Sequence, residues 1–405
     1  MILQICHFYR NFYPFGTGGV ETQTLLTTNF LSNYDNNLHF SLITSRQYLL
    51  PFLHKNVPKR QYYGNLKVLR LGPNIPEITL YALQNNIRVP KQKLEKIQRI
   101  VAHQLFLEAA KIREVKEADV FHTHIAGEDP MDMAICEQLP VELSRKFGKP
   151  LITQLHGTFL PGPETMSLTK ERREIIFENS SAITTNNTNA FEKLKEWKLE
   201  KKAYLIPNGV DLEKFRISKR NLRKNGFKIL FIGRITAYRD PVTAIFAFKL
   251  LLKKFPDARL HIVGGGPLEN PVQRLVQQLD MDKSVVMYGS RMDVDLFLQK
   301  SDVFWTISPI NNYPSNSLME ALASSLPVVA TDTGLTKELI VDKQNGLLVS
   351  PRNPRELANA TEEILTDGTL RNFLSINARA TAEKYDYKVI YPRIAQLYYS
   401  VSSKR

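Results

Sequence analysis

The sequence has few cysteines and no long hydrophobic run, and each lack excludes a class of protein. Its 405 residues include two cysteines, Cys6 and Cys136, without a metal-ligand spacing, which is too few for a disulfide framework. We expect both to be buried thiols in a reducing compartment. No stretch approaches the roughly 18–20 uncharged apolar residues of a membrane span, and the N terminus lacks the apolar core of a signal peptide. These features predict a cytoplasmic protein that is soluble or rests on a membrane surface.

Acidic residues are scarce relative to basic ones. Lys and Arg number 54 against 40 Asp and Glu, for a formal net charge of +14. A positive field attracts phosphates, nucleic acid or anionic lipid. The basic residues form short clusters at 91–99, 170–173 and 216–228 instead of a tail, so a solvated basic surface is the plain alternative. The composition, 43% hydrophobic and 23% charged, is typical of globular proteins.

The first half of the chain predicts an α/β domain. A strand at 2–8, a glycine loop, a helical pattern and a strand at 39–44 indicate a βαβ unit. We interpret 47–90 as an irregular insertion with one strand, Leu66–Leu71, and 91–118 as helical. The other strands of this half are expected at 119–123, 151–155, 182–185 and 203–206.

A basic, glycine-ended segment at 215–227 predicts a linker, after which the alternation restarts. Such apolar strands separated by helices indicate buried parallel sheets. We predict an N-terminal domain at 1–215, a C-terminal domain at 216–385, and a last helix at 386–405 that packs back on the first domain. The second block of strands is expected at 228–232, 259–263, 285–288, 303–307, 327–330 and 347–349.

Glycine-rich loops follow predicted strands in both halves, where ligands of parallel sheets bind. Gly18 and Gly19 precede the first helix, whose N terminus favours an anion, although a tight turn explains them equally well. Gly264–Gly266 give close backbone access to a ligand. Neither loop completes a G-x-G-x-x-G fingerprint, so a nicotinamide-dependent oxidoreductase is the least supported function.

Two arginines follow a third glycine, at the end of the strand 228–232. Gly233 is followed by Arg234 and, five residues later, Arg239. Guanidinium groups suit bidentate phosphate contacts. Taken alone, the pair is better explained as two surface arginines.

The segment 312–323 follows a strand and enters a helix. Ser315 to Ser317 would place free N–H groups at the helix start, which favours a diphosphate. Glu320, one turn inside, could accept hydrogen bonds from ribose hydroxyls. The alternative is a capped helix with an exposed glutamate.

In order and spacing, these segments resemble the retaining GT-B glycosyltransferases of family 4, the glycosyl transferases of group 1. The motifs GTGGVE, HTH, QLHG, IPNGVD, FIGRI, HIVGGGP and SNSLMEALASSLPVVATDTG spread over nearly the whole chain. The resemblance implies an α/β, GT-B fold of two Rossmann-like domains whose parallel sheets face each other across a cleft. It also implies a hexosyltransferase-type reaction, with retention, from a nucleotide-sugar to a saccharide or lipid-linked acceptor.

The resemblance implies partners as well. The process would be the synthesis of polysaccharides, cell-surface glycans or glycolipids, on the cytoplasmic side and peripheral to an anionic membrane. No metal, other cofactor or nucleic acid is expected, because this fold uses arginines and a helix N terminus where other glycosyltransferases use a cation.

The resemblance assigns site residues one by one. His156 matches the family histidine beside the transferred sugar, a core or capping histidine being the alternative, and Arg234 and Arg239 match the Arg and Lys pair that neutralises the diphosphate. Glu320 matches the second glutamate of the paired-glutamate motif, which binds ribose. The donor-binding residues expected are Gly18, Gly19, Gly233, Gly265, Asn312, Asn316, Ser317, Leu318 and Glu320.

The chain departs from the family at the first glutamate of that motif. The position is 312, or 311 if the loop carries an extra residue, and both are asparagine. An amide hydrogen-bonds a sugar hydroxyl but brings no negative charge. A catalytically weak sugar-nucleotide-binding protein is therefore the alternative function. Leu335 stands where many relatives have a second glycine.

Two D-x-D patterns invite a metal site. They are Asp280–Asp282 and Asp293–Asp295. We interpret Asp293 instead as the N-cap of a helix at 294–300, because aspartate is a preferred capping residue.

Overall fold

The chain divides into two compact units. The computed structural model describes residues 2–10, 12, 19–45, 58–72, 100, 102–126, 133–159, 168–216, 226–311, 313 and 315–403. Unit 1 comprises Met1–Phe159, Glu164–Pro207 and Ile390–Arg405, and unit 2 comprises Leu160–Pro163 and Asn208–Val389. The division after Pro207 lies upstream of the predicted boundary at 215. Residues 217–225 of the predicted linker lie outside the described residues.

Unit 1 contains an eight-stranded sheet in the order β3-β4-β2-β1-β5-β6-β7-β8. Every neighbouring pair is parallel except β3 and β4. Parallel strands are covered on both faces, which explains their continuous apolar runs. The strands are β1 (Leu3–Phe8), β2 (Leu38–Ser45), β3 (Arg60–Tyr63), β4 (Leu66–Leu71), β5 (Val120–Ile125), β6 (Leu151–Leu155), β7 (Ala182–Thr185) and β8 (Ala203–Leu205).

The strand Leu66–Leu71 is observed at its predicted bounds, whereas the prediction of irregular structure was wrong for 60–63, which pair with that strand in an antiparallel hairpin. Its turn contains Gly64 in a left-handed conformation, φ 57°. A Cβ there would lie 2.5 Å from Oδ1 of Asn29, which accepts a hydrogen bond from the Asn65 amide. The turn thus rests on the first helix. Strand β3 alternates exposed and half-buried residues, so it lacks the apolar run that marks the other strands.

Helices complete unit 1. The predicted helix at 91–118 is two helices with a break between them, and 91–99 lie outside the described residues. A π-helix, Met133–Gln138, has no counterpart in the sequence prediction. The α-helices are α1 (Gly19–Tyr34), α2 (102–109), α3 (Arg113–Glu117), α4 (Leu139–Phe147), α5 (Lys170–Asn179) and α6 (Thr188–Glu196), with a 3₁₀ turn at Glu200–Lys202.

Unit 2 contains a six-stranded parallel sheet in the order β11-β10-β9-β12-β13-β14. Predicted and observed bounds coincide for β9, β10 and β14, because their ends are marked by glycine or polar residues. The strands are β9 (Lys228–Ile232), β10 (Arg259–Val263), β11 (Val285–Met287), β12 (Val303–Thr306), β13 (Val328–Thr331) and β14 (Leu347–Val349). The helices are α7 (Pro241–Leu252), α8 (Glu269–Gln278), α9 (Val294–Gln299), α10 (Asn316–Ala323), α11 (Pro354–Thr366) and α12 (Gly368–Glu383), with 3₁₀ turns at Ala237–Arg239 and Thr336–Glu338.

The last helix, α13 (Tyr387–Ser402), begins in unit 2, and from Ile390 onward it belongs to unit 1. Its buried tyrosines bond to residues of unit 1. Tyr391 donates its hydroxyl to Oε1 of Gln23 at 2.7 Å, and Tyr398 lies 2.8 Å from Nδ1 of His122. These bonds join the helix to α1 and to strand β5 of the first sheet.

The two cysteines are buried and free, as predicted. Burial raises the pKa of the Cys6 thiol to about 12, so the thiol stays protonated and behaves as a small apolar side chain. Among the described residues, every helix is too short or too polar to cross a membrane.

Candidate functional site

Glycines bring two loops of unit 2 into backbone contact at the carboxyl ends of β9 and β10. A Cβ on Gly264 would lie 2.0 Å from the carbonyl oxygen of Gly233, and one on Gly266 would lie 2.6 Å from that of Ile235. The Ile235 amide donates to the carbonyl of Gly265 at 3.0 Å. Only glycine allows this approach. The predicted glycine positions 233 and 265 therefore lie side by side.

Arg239 lies over Gly233. A Cβ at Gly233 would be 3.6 Å from Cδ and Nε of Arg239 and 3.7 Å from its Cζ. The arginine ends a 3₁₀ turn, Ala237–Arg239, and is half-buried. Arg234, from the same loop, is exposed. The guanidinium of Arg239 is thus held against the backbone at the end of β9.

The N terminus of α10 also lies at the carboxyl end of β9. Ser317 donates its hydroxyl to the carbonyl of Ile232, the residue before Gly233, at 3.3 Å. Ser315 is the N-cap, and its hydroxyl accepts from the Leu318 amide at 3.4 Å. The structure therefore gathers Gly233, Arg239 and Ser317 around the end of one strand.

Two other predicted residues at this helix start have protein partners, which limits what they offer a ligand. The Leu318 amide, in the first turn, is occupied by the capping bond, and its side chain is buried. Oδ1 of Asn316 accepts from Nδ2 of Asn208 at 3.0 Å, with the donor and acceptor assigned from the network. The capping bond thus takes up the Leu318 amide, while free N–H groups at 315–317 stay a prediction.

Glu320 lies one turn after Ser317 on α10, so the two side chains share a face of the helix. The carboxyl is half-buried. Burial raises its pKa to about 7; Lys214 acts in the opposite direction, and Asp295 raises it further. The group can therefore change its charge near neutral pH.

Asn311 has a structural task. It is buried, and its Oδ1 accepts from the Leu335 amide at 3.1 Å. Gly334 has φ 52°, and a Cβ there would lie 2.0 Å from the same Oδ1. Asn311 thus holds the loop after β13 closed. Asn312 lies outside the described residues, and so does Gly18.

In unit 1, His156 follows β6 directly and is 6% exposed. Its amide donates to the carbonyl of Ile125 at 3.0 Å, and its Nε2 lies 2.9 Å from Nδ1 of His124. Burial lowers the pKa of His156 to about 3, so the imidazole is neutral. Gly19 is the first residue of α1.

Three further buried histidines lie beside His156, and no site role was predicted for them. Nδ1 of His7 is 2.8 Å from Nε2 of His124. His7 is paired with His122 in neighbouring strands, and ligand nitrogens of His7, His122 and His124 lie within 4.8 Å of one another. The signal in the sequence is the two-residue spacing of His122 and His124, which places both on one face of a strand.

The aspartates of the D-x-D patterns act locally. Asp293 stands at the N-cap of α9 as predicted but makes no side-chain capping bond. Its carboxylate instead accepts from Nε and Nη2 of Arg291 at 2.8 and 2.7 Å. Among the described residues, the histidine triad is the candidate metal cluster, and none of these aspartates belongs to it.

Two family models together match most of the chain. Residues 213–381 match the glycosyl transferases group 1, and residues 18–214 match glycosyltransferase family 4. The UDP-Gal:alpha-D-GlcNAc-diphosphoundecaprenol alpha-1,3-galactosyltransferase of Escherichia coli is 30% identical over 190 residues, 44% of this chain and 49% of that protein. The matches span 35%, 49% and 46% of the first three curated relatives.

Solved structures are similar over the full length. Sucrose-phosphate synthase from Thermosynechococcus elongatus has a TM-score of 0.72 at 18% identity and covers 100% of both chains. The Anabaena protein HepE, in complex with UDP and glucose, has a TM-score of 0.68 at 17% identity, covering 98% of this chain and 99% of that one. At such identities the similarity is one of fold.

Proposed function

The chain belongs to the group 1 glycosyl transferases of glycosyltransferase family 4 and has their GT-B fold, and from this premise we propose that it moves a sugar from a nucleoside-diphosphate sugar to a saccharide or lipid-linked acceptor. The observation that carries the proposal is the convergence of Arg239, Gly233 and Ser317 at the end of β9. A diphosphate is bound well where a guanidinium group, a glycine backbone without a side chain and the N terminus of a helix lie together.

Charge develops on the departing nucleoside diphosphate during transfer, and preorganised positive groups stabilise it. Arg239 is held in place before the ligand arrives, because its side chain packs on Gly233. Exposed Arg234 adds a second guanidinium from the same loop. Glu320, on the helix face of Ser317, would bind the ribose hydroxyls. The donor thus meets positive charge at its phosphates and a carboxylate at its ribose.

His156 would hydrogen-bond the transferred sugar through its Nδ1, the ring nitrogen that does not contact His124. A neutral imidazole orients a sugar hydroxyl without adding charge. As in the family, the acceptor would attack from the face that the leaving group vacates, so the configuration is retained. No metal is needed in this mechanism, because arginines and a helix start meet the phosphate charge.

The printed name of the Escherichia coli relative includes a diphosphoundecaprenol-linked acceptor, which favours a lipid-linked acceptor here. The formal net charge of +14 would draw the protein to an anionic membrane surface. We therefore place the reaction at the cytoplasmic face of a membrane, in the synthesis of a polysaccharide or cell-surface glycan.

The alternative is a sugar-nucleotide-binding protein with weak catalysis. It is favoured by Asn311, whose amide is engaged with the Leu335 backbone, so the charge of a glutamate is missing at that position. Binding and turnover separate the two functions.

A screen of UDP-, GDP- and ADP-sugars tests the proposal. A bound donor stabilises the folded state by about 2.7 kcal/mol at a concentration of 100 Kd, so at least one nucleotide-sugar should raise Tm by several degrees, whereas free monosaccharides should not. Transfer to lipid-linked and soluble saccharide acceptors is then measured with the hits. Stabilisation without transfer would favour the alternative, and the absence of stabilisation by every nucleotide would contradict both.

We expect the affinity for nucleotide to depend on pH through the carboxyl group of Glu320. Ribose hydroxyls donate to the ionised carboxylate, whose pKa in the free protein is about 7. Raising the pH from 6 to 8 should therefore tighten UDP binding about tenfold. Calorimetry of wild type, Glu320→Gln and the exposed control Glu363→Gln would measure it. The first variant should bind more weakly and lose the extra pH dependence, while the control should keep it; an unchanged profile in Glu320→Gln would exclude this role.

A further inference from the structure

Buried polar rings extend inward from His156 in unit 1. Nε2 of His156 meets Nδ1 of His124 at 2.9 Å, and Nε2 of His124 meets Nδ1 of His7 at 2.8 Å. Nε2 of His7 lies 3.5 Å from the hydroxyl of Tyr398 on α13, which lies 2.8 Å from Nδ1 of His122. All five side chains are at most 6% exposed. They form one hydrogen-bonded chain from a strand end into the core.

The four histidines of this hydrogen-bonded chain are all neutral. Burial lowers the pKa of His7 and His156 to about 3 and holds those of His122 and His124 well below their usual value, with further lowering of these two by neighbouring histidines. A neutral imidazole has one N–H and one lone pair. Each ring that donates on one side must therefore accept on the other, so the whole chain donates in one direction.

The inner end favours one of the two directions. Nε2 of His122 is buried and has no hydrogen-bond partner among the residues that the structure describes. A buried N–H without an acceptor is rarer than an unsatisfied acceptor, so this nitrogen carries the lone pair.

We propose that Tyr398 and His122 are positioning residues that act through His7 and His124 to fix His156 as the tautomer with its proton on Nδ1. In this direction His122 Nδ1–H donates to Tyr398, and the tyrosine hydroxyl donates to Nε2 of His7. Nδ1–H of His7 then donates to His124, and that of His124 to His156. All four imidazoles carry the proton on Nδ1.

The consequence for the ligand rests on the proposed function. With Nε2 of His156 accepting from His124, its Nδ1 presents an N–H. His156 then donates to an oxygen of the sugar or phosphate and cannot remove a proton from the acceptor. The histidine thereby orients the donor and is excluded as the general base.

A metal ion fits these rings less well than the hydrogen-bonded chain. The rings of His7 and His124 are stacked at 16° between planes, and those of His122 and His124 at 22°. Ring nitrogens direct their lone pairs in the ring plane, so near-parallel stacked rings do not aim them at one point. The 2.8 Å contact between His7 and His124 is a hydrogen-bond distance, shorter than two ligand nitrogens of a tetrahedral zinc allow.

Nitrogen-15 NMR of the full-length protein with ring-labelled histidine reads the tautomers without any assay of activity. Signals are assigned with single His→Gln variants. We expect the Nδ1–H form for all four rings in wild type. Tyr398→Phe keeps the ring but removes the hydroxyl, so His7, His124 and His156 should shift together toward a mixture of tautomers. Tyr391→Phe, on the same helix, is the matched control and should leave them unchanged.

Three outcomes would overturn the proposal: an Nε2–H form of His156 in wild type, a His156 tautomer unaffected by Tyr398→Phe, or stoichiometric metal in the purified protein with loss of the hydrogen-bonded signals. A failed donor screen would remove the proposed function and leave this result standing. Where transfer is observed, Tyr398→Phe should lower kcat more than it raises KM, because it disturbs the orientation of a sugar that still binds.

Discussion

Replacement of Arg239 with methionine is expected to lower kcat about 10²- to 10³-fold. Methionine keeps much of the length and the packing on Gly233 but removes the guanidinium. The loss of one preorganised positive group at a leaving group costs about 3–4 kcal/mol of transition-state stabilisation. Steady-state kinetics with the nucleotide-sugar found in the screen would measure the change. Because the charge on the diphosphate grows in the transition state, kcat should fall more than donor affinity.

Two further variants separate the local charge from general effects. Arg239→Lys keeps the charge that the family usually places there and should stay within about tenfold of wild type. Arg274→Met removes an exposed arginine of α8 and should leave kcat unchanged. A kcat for Arg239→Met within about threefold of wild type would show that the leaving group is stabilised elsewhere.

Acid should unfold the protein steeply below pH 6.5. His7, His122, His124 and His156 have pKa values below 6.5 in the folded state, while in the unfolded chain each regains an ordinary value. Their contribution is therefore fully present above pH 6.5 and is lost as the pH falls toward 3, because the unfolded state binds more protons. With about 1.4 kcal/mol per group and pH unit, the free energy of unfolding falls by up to about 5 kcal/mol per unit.

Urea unfolding at half-unit steps between pH 7.5 and 5 would measure this slope. His122→Gln should reduce it by about a quarter, since one of the four buried rings is gone. His39→Gln, which removes an exposed histidine, is the control for the loss of a surface imidazole. An uptake of less than about one proton on unfolding near pH 5.5 would show that the buried rings are already charged in the folded state.

The strands could be predicted because parallel strands covered on both faces have uniform apolar sequences. That signal placed Leu151–Leu155 and Lys228–Ile232 at their observed bounds. It failed for Arg60–Tyr63, an edge strand without an apolar run, in which exposed and half-buried residues alternate. The π-helix Met133–Gln138 was also missed, since its apolar and polar residues show no period that distinguishes it from an α-helix.

Site residues that follow strand ends could be proposed from the sequence, because ligands of parallel sheets bind at the carboxyl ends of the strands. The contacts among them could not be predicted. The bond between Ser317 and Ile232 joins residues far apart in the chain. The link from His7 to His124 depends on the register of two strands and on which nitrogen faces which, and no local pattern contains that information.

The closed loop at Asn311 makes several positions of unit 2 mutationally interdependent. A glutamate at 311 would bring a longer, charged side chain into a site that is 4% exposed, where burying charge is costly. It would also crowd Gly334, whose backbone already lies against the asparagine oxygen, and disturb the Leu335 amide. Substitutions at 311, 334 and 335 should therefore be non-additive. A glutamate at 311, one of the two positions to which the family resemblance assigns the first glutamate of the paired-glutamate motif, would therefore require a coordinated rebuilding of this loop.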